Sequence, residues 1–197
     1  NTYFTQLDLS ENDSITYSIN EKIKQEVLKF SETDSNFYKK TIGCNRIGSV
    51  FSDDNKLKII SWNYQLTDKS YAYEAVVIKN SGRNKPKVRV WSLSCLNSFK
   101  PTENKIYNTK NWYGSLYYKI VSWKGNYILL GYSTYNNYTK TKLIDILCLE
   151  NNRITFGKKV FKKGNKTHSR MVFEYSVMAN MSLVYDSERK EFVFDHE

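Results

Sequence analysis

The stretch from residue 116 to residue 195 constrains the fold most, because short apolar runs alternate there with tight polar turns. Runs of about four to eight residues bounded by Gly, Asn, Asp or Ser are typical of antiparallel strands. The turn segments are 124–126, 150–152 and 186–188. The candidate strands are residues 116–121, 127–132, 143–149, 171–175, 181–185 and 192–194. This spacing predicts an antiparallel meander.

Alternation also predicts which way some of these side chains point. Residues 171–175 and 181–185 are expected to pair with each other through the connection 176–180. Phe173 and Leu183 should then point inward and Glu174 outward.

The first part of the chain predicts one helix and a second group of strands. Residues 1–9 look irregular, whereas residues 14–30 repeat an apolar residue every four positions, which is typical of an amphipathic helix. The repeat consists of Ile15, Ile19, Ile23 and Val27. Strand candidates follow at 57–62, 71–79 and 87–93. The connection 97–111 lacks the composition of a flexible linker, so we predict one domain over residues 1–197.

These elements predict a mainly β fold class, an antiparallel meander of about ten strands with one N-terminal amphipathic helix. The first sheet block spans about residues 50–95 and the second about residues 112–196. The pattern leaves open a barrel, a sandwich or a curved sheet. A propeller is disfavoured, because no repeat of about 40 residues is visible.

Composition restricts the partners of the chain. No apolar run approaches the roughly 20 residues that a membrane-spanning helix needs. The net charge is +10, but lysine and arginine are spread thinly, with the densest clusters at 79–89 and 158–166. Both clusters coincide with predicted turns, so we interpret them as solvated surface and regard nucleic acid as an unfavoured partner. The alternative interpretation is that one of these clusters binds a polyanion.

The three cysteines do not form a metal or redox motif, because Cys44, Cys95 and Cys148 are widely spaced. Cys148 lies in an apolar run with Ile144 and Ile146 on the same strand face, and we predict a reduced, buried thiol there. A disulfide between Cys44 and Cys95 stays open.

Few residues suggest catalysis, a metal or a cofactor, and we expect none of the three. His168 and His196 lack a nucleophile or a second histidine at a useful spacing, so both are interpreted as surface residues. Asp53 and Asp54 begin a turn, and a Ca²⁺ loop is a weak alternative since the Gly and distal Glu of an EF-hand are missing.

Three acids lie inside predicted strands and form the alternative catalytic set. Glu74, Asp145 and Glu174 are each flanked by apolar residues. Such acids ordinarily face solvent and pair across strands. Paired carboxylates can also hydrolyse glycosidic bonds, which leaves a hydrolase as the second hypothesis.

Two segments concentrate aromatic rings and amides. Residues 111–118 and 131–138 hold the candidate ligand-binding residues Trp112, Tyr113, Tyr132, Tyr135 and Tyr138. Exposed rings beside Asn side chains suit sugar faces and peptide grooves, whereas the ordinary interpretation is a sheet core and its rim.

The same region resembles a family of uncharacterised exported bacterial proteins over roughly residues 57–196. The blocks that carry the resemblance are NWYGSLYYKI at 111–120, YILLGY at 127–132, TKLIDIL at 141–147, RMVFEYS at 170–176, ANMSLVYD at 179–186 and FVFDH at 192–196. The resemblance implies a periplasmic or cell-surface location and no particular activity. A start at Asn1 fits a mature protein after removal of a signal peptide, or a trimmed terminus.

The leading hypothesis is a secreted, non-catalytic β module that binds a ligand or partner, a glycan or a peptide, through an aromatic-rich surface. A hydrolase that uses the strand carboxylates comes second. A polyanion-binding protein comes third.

Overall fold

The computed structural model describes residues 2–39 and 44–195, and His196 lies outside them. These residues form two helices, α1 (Thr2–Asp8) and α2 (Asp13–Ser31), and a short 3₁₀ turn at Asp34–Asn36. The strands are β1 (Gly48–Phe51), β2 (Leu57–Gln65), β3 (Tyr71–Asn80), β4 (Val88–Cys95), β5 (Tyr107–Asn108), β6 (Leu116–Trp123), β7 (Asn126–Ser133), β8 (Thr139–Glu150), β9 (Arg153–Phe156), β10 (Phe161–Lys163), β11 (Lys166–His168), β12 (Met171–Ser176), β13 (Leu183–Asp186) and β14 (Glu191–Phe194). The prediction of a mainly β, antiparallel fold with an N-terminal helix is confirmed.

Two sheets contain most of the strands, and every pairing between their strands is antiparallel. Sheet A has the order β1-β2-β3-β4, and sheet B has the order β5-β9-β8-β7-β6. In sheet B the long strand β8 has β7 on one side, and β12 and β9 follow each other along its opposite side.

Tight turns of the predicted kind close two hairpins of sheet B. Lys124 and Gly125 join β6 to β7, and Asn151 and Asn152 join β8 to β9, all four with positive φ. Positive φ at both central residues is the requirement of a type I′ turn, whose twist matches that of the flanking strands. Gly and Asn adopt it at low cost.

The two sheets pack face to face around a shared inner core. Leu57, Ile59 and Val77 of sheet A contact the same buried cluster as Leu129 and Leu147 of sheet B. The structure is therefore a sandwich, and its described strands do not close into a barrel. At one margin the sheets meet through a parallel bridge between Ser52 and Ile120. We call this the β1–β6 seam.

Each sheet is also covered on its outer face. The helices pack on sheet A, where Ile19, Ile23 and Val27 of α2 contact Ile60 and other buried residues. On sheet B, the β13–β14 hairpin covers a cluster that holds Ile144, Ile146 and Cys148. Burial on both faces explains why the central strands are apolar almost throughout.

The N-terminal segment departs from the prediction in two ways. Residues 1–9 were expected to be irregular, but α1 forms there because Phe4 and Leu7 are buried against the helix layer. In α2, the Asn12 side chain accepts a hydrogen bond from the Ser14 amide at 2.7 Å, which caps the helix. Ile15 is 54% exposed and does not continue the buried stripe. No helix of the described residues is long and apolar enough to cross a membrane.

The predicted pairing of residues 171–175 with 181–185 is wrong. β12 pairs with β8, and β13 pairs with β14, because the C-terminal hairpin folds over the outer face of sheet B. Leu183 is buried and Glu174 is exposed, as expected, while Phe173 is only partly buried beside Phe194.

The three cysteines are free in the structure. Cys148 is a buried thiol in the cluster of Ile144 and Ile146, as predicted. Cys95 belongs to the inner core and Cys44 packs against the helix layer, and they form no disulfide with each other.

Candidate functional site

The five aromatic residues predicted to bind a ligand do not share one surface. Trp112 is 1% exposed and Tyr113 is fully buried, whereas Tyr138 is 80% exposed. Tyr132 and Tyr135 are partly buried. The predicted binding surface therefore does not include Trp112 and Tyr113, which belong to the core.

Trp112 and Tyr113 are buried because they fill the space between the sheets. The Trp112 indole donates to the Tyr117 hydroxyl at 2.9 Å. The Tyr113 ring meets the Tyr107 ring edge-on, with centroids 5.4 Å apart. Such ring pairs stabilise a core beyond their buried area.

Asp145 is fully buried in this core rather than solvent-facing, which corrects the prediction. Its Oδ2 accepts from Arg170 Nε at 2.9 Å and from the Tyr113 hydroxyl at 2.8 Å, and its Oδ1 accepts from the Ile146 amide. Burial raises the pKa of Asp145, and the Arg170 guanidinium opposes that rise. The fully buried Arg170 also donates to the carbonyls of Thr102, Lys105 and Phe156. The pair thus fixes the connection before β6 to sheet B.

Glu74 is also buried, on the face of sheet A that carries the helices. Asn20 of α2 donates to its Oε1 at 3.1 Å and Ser94 donates to its Oε2 at 2.6 Å. Lys24 Nζ lies 3.2 Å from Oε2. Burial raises the pKa of Glu74 against these contacts. This network joins α2 to sheet A.

The alternative catalytic set is not brought together. Glu174 lies on the surface in an ion pair with Lys100, Asp145 lies between the sheets, and Glu74 lies under α2. A carboxylate pair for glycoside hydrolysis requires two acids about 5–9 Å apart across one cleft. These three acids occupy separate networks and offer no such pair.

The remaining polar candidates have local contacts. His168 is 9% exposed, which corrects the surface prediction, and its Nδ1 lies 3.2 Å from Glu103 Oε2. Asp53 and Asp54 accept backbone hydrogen bonds of their turn, as the turn interpretation requires. Within residues 2–39 and 44–195, no group of three or more His, Cys, Asp or Glu side chains could hold a metal ion.

Lys58 is a buried cation that sequence reasoning did not single out. It is fully buried on β2, and its amine donates to the Lys39 carbonyl at 2.6 Å. Its Nζ lies 5.1 Å from the Phe30 ring centroid and 5.2 Å from that of Phe51. Burial lowers the pKa of Lys58 from 10.5 to about 8.

We expect Lys58→Met to raise the free energy of unfolding at pH 7 by about 2 kcal/mol, because a charged amine is costly to bury. Between pH 8 and 10.5 the unfolded chain binds the Lys58 proton and the folded chain does not, so this contribution to wild-type stability rises with pH. The advantage of the variant should therefore shrink towards pH 10. Urea unfolding from pH 6.5 to 10 measures both effects. The exposed Lys56→Met is the control, and a Lys58→Met protein less stable than wild type at pH 7 would contradict the expectation.

A basic groove lies at the margin of the sandwich opposite the β1–β6 seam, and we call it the Trp91 groove. Trp91 of β4 extends from sheet A and donates through Nε1 to the Asn152 carbonyl of the β8–β9 turn at 3.1 Å. Trp91 borders two adjoining concavities, one of about 400 Å³ and a second of about 630 Å³. Their lining residues are Lys79, Ser81, Lys87, Val88, Arg89, Trp91, Asn108, Thr109, Lys110, Leu149, Asn151, Asn152, Arg153, Ile154 and Thr155.

Positive charge dominates the groove. Lys79 and Arg89 stand directly opposite each other on β3 and β4, an arrangement of like charges that destabilises a sheet. Lys87, Arg153 and Lys110 add three more cations. Among the described residues, none of these five side chains forms an ion pair.

The described residues that line the two concavities include no acid. Asp34 accepts from the amide of the lining residue Val88 at 2.8 Å, and two further acids lie nearby. Asp54 accepts from the Tyr127 hydroxyl at 3.2 Å, and Lys79 contacts that same hydroxyl. Glu150 faces Arg153 across the β8–β9 hairpin. These acids partly balance Lys79 and Arg153, whereas Lys87, Arg89 and Lys110 keep a positive field over the groove.

Sequence reasoning identified the charges on one half of this groove but not the groove itself. The cluster 79–89 was interpreted as solvated turn surface, since its charges flank a turn. Alternation places Lys79, Arg89 and Trp91 on one face of sheet A, and this was the available signal. The approach of Asn152 and Arg153 from the other sheet was not predictable, because it depends on how the sheets pack.

Comparisons with protein families, with curated proteins and with solved structures find no match for this chain. The resemblance to exported bacterial proteins therefore stays an expectation.

Proposed function

We propose that this chain is a non-catalytic binding module whose ligand lies in the Trp91 groove. The observation that carries the proposal is the position of Trp91, which is partly exposed and borders two concavities whose other lining is mostly polar or cationic. Tryptophan offers a large apolar face with little loss of conformational entropy, and it is enriched where binding energy concentrates. An exported location, expected from the resemblance, is part of the proposal.

The shape of the site favours an elongated ligand. Both concavities are lined by Trp91, Asn152 and Arg153, so they adjoin each other along the margin of the sandwich. Each has a volume in the range of about 300–1,000 Å³ that suits a ligand-sized group. A chain of repeating units can place one unit in each concavity.

We expect Trp91→Ala to weaken binding of the ligand about 30-fold, since removal of a central tryptophan commonly costs about 2 kcal/mol. A glycan and peptide array with wild-type protein identifies ligands, and titration calorimetry measures the loss. Trp123→Ala is the matched control, because Trp123 is also partly buried but packs on the outer face of sheet B. Equal binding by Trp91→Ala and wild type, or an array without any ligand, contradicts the proposal.

A further inference from the structure

We propose that the ligand of the Trp91 groove is an anionic polysaccharide, a sugar chain that bears sulfate or carboxylate groups. This inference rests on the proposed function and specifies its ligand class. It follows from three properties of the groove: its charge, its single aromatic ring and its amide and hydroxyl lining.

The charge calls for an anion. Arg89, Lys87 and Arg153 line the same concavity. Lys79, which Asp54 partly balances, faces Arg89 across the two strands. Like charges so placed repel one another, and a bound sulfate or carboxylate between them removes that repulsion. Guanidinium groups also bind such oxyanions with two parallel hydrogen bonds, which the two arginines provide.

The cations extend along the groove rather than gather at one point. Lys79, Lys87 and Arg89 lie on the sheet A side, Arg153 borders both concavities, and Lys110 borders the second. A small anion would use one end of this arrangement. A chain with charges at regular intervals could contact all five cations, so we infer that the ligand is a polymer.

The uncharged polar residues of the lining match a sugar. Asn108, Thr109 and Thr155 line one concavity, and Ser81 and Asn151 line the other. Amides and hydroxyls both donate and accept hydrogen bonds, as sugar hydroxyls do. The Trp91 ring supplies the apolar face on which a sugar ring packs.

A single-stranded nucleic acid fits the same groove less well. Proteins that bind single strands stack successive bases on several aromatic side chains. Among the described residues that line the two concavities, Trp91 is the one aromatic side chain. One ring that borders two basic concavities serves one stacked unit, which suits a sugar chain with charges on either side.

The experiment measures binding of wild-type protein to four probes at 50 and 300 mM salt: a heparin oligosaccharide, an oligogalacturonate, a neutral dextran oligosaccharide and a dT12 oligonucleotide. We expect binding to at least one charged saccharide, weakened about tenfold at the higher salt by screening, with little binding to dextran or dT12. The heparin and galacturonate arms separate sulfate from carboxylate recognition.

The variant Arg89→Glu/Arg153→Glu should weaken binding of the charged saccharide at least tenfold. Lys162→Glu/Lys166→Glu is the matched control, because it changes net charge equally at exposed positions of the β10–β11 hairpin. Equal losses in the two variants would show a non-specific charge effect and overturn the inference.

The remaining outcomes separate the inference from the proposed function. Trp91-dependent binding to dextran or to a peptide, without binding to the charged saccharides, overturns the inference and leaves the binding module standing. Preferential binding of dT12 replaces the ligand class with nucleic acid. A protein that binds neither these probes nor any array ligand refutes both proposals.

Discussion

Arg170→Met is expected to lower the free energy of unfolding by about 3–5 kcal/mol, because it leaves the buried Asp145 charge without its partner. The carbonyls of Thr102, Lys105 and Phe156 lose their donor at the same time. Most domains of this size are stable by only about 5–15 kcal/mol, so the variant should lose a large share of its stability. Urea denaturation followed by circular dichroism measures the loss.

A double variant separates two free energies: the cost of leaving Asp145 charged and unpaired in the core, and the net contribution of the ion pair to stability. Asp145→Leu/Arg170→Met should be more stable than Arg170→Met alone, since it removes both charges from the core. Arg189→Met is the control, because Arg189 is exposed and its ion pair with Asp186 is long, at 3.9 Å. A loss for Arg170→Met no larger than that of the control would mean that the buried pair does not hold the structure as described.

Gly157→Ala is the second large effect, at about 3–4 kcal/mol of lost stability. Gly157 has φ of 110°, which L-residues rarely adopt, and such strain costs about 1–3 kcal/mol. An added Cβ would also lie 2.7 Å from Arg170 Nη2 and 3.3 Å from the Lys105 carbonyl oxygen. The guanidinium is held by hydrogen bonds and has little freedom to retreat.

The chain provides a matched glycine for this test. Gly164 has φ of 57°, and an added Cβ there meets nothing within 4 Å. Gly164→Ala should therefore cost only about 1 kcal/mol, the strain of a left-handed residue. Thermal and urea unfolding of both variants compare strain alone with strain plus contact. Equal losses would show that the contact with Arg170 adds nothing.

The strands were predictable because the patterns that specify them lie within each short segment of the sequence. Period-two patterns and turn residues placed β2, β3, β6, β7 and β8 close to their observed positions. The partner of β12 was not predictable in this way, because it depends on which chain segment reaches the N-terminal half of the β8 edge. Neighbours in sequence need not be neighbours in a sheet.

The placement of the acids failed for one physical reason. An acid between apolar residues was interpreted as facing solvent, which holds for a sheet with one wet face. Here both sheets are covered on both sides, so Glu74 and Asp145 are buried and require partners. Residues 71–80 indicated this burial, because both the odd-numbered and the even-numbered positions include apolar residues, as expected of a strand covered on both faces. Their partners Lys24 and Arg170 lie far away in sequence, and no local pattern identifies them.

Only one side of the Trp91 groove was predictable, because the packing of one sheet against the other is not encoded in a local pattern. Its sheet A side follows from alternation along β3 and β4, while its other side comes from a turn that packing delivers. The aromatic density at 111–118 was more conspicuous but proved to be core, since large rings fill the space between two sheets.

The β1–β6 seam makes the width of the Trp91 groove sensitive to small rotations of one sheet against the other. The seam lies at one edge of sheet A, and β4 lies at the other, three strand spacings or about 14 Å away. A rotation of about 4° around the seam moves β4 by about 1 Å, given that strand spacing. Such a rotation would leave the seam almost in place, and the Trp91–Asn152 hydrogen bond spans the margin that it would displace most. A ligand that spans the groove would therefore contact the two sheets where a given rotation produces the largest displacement.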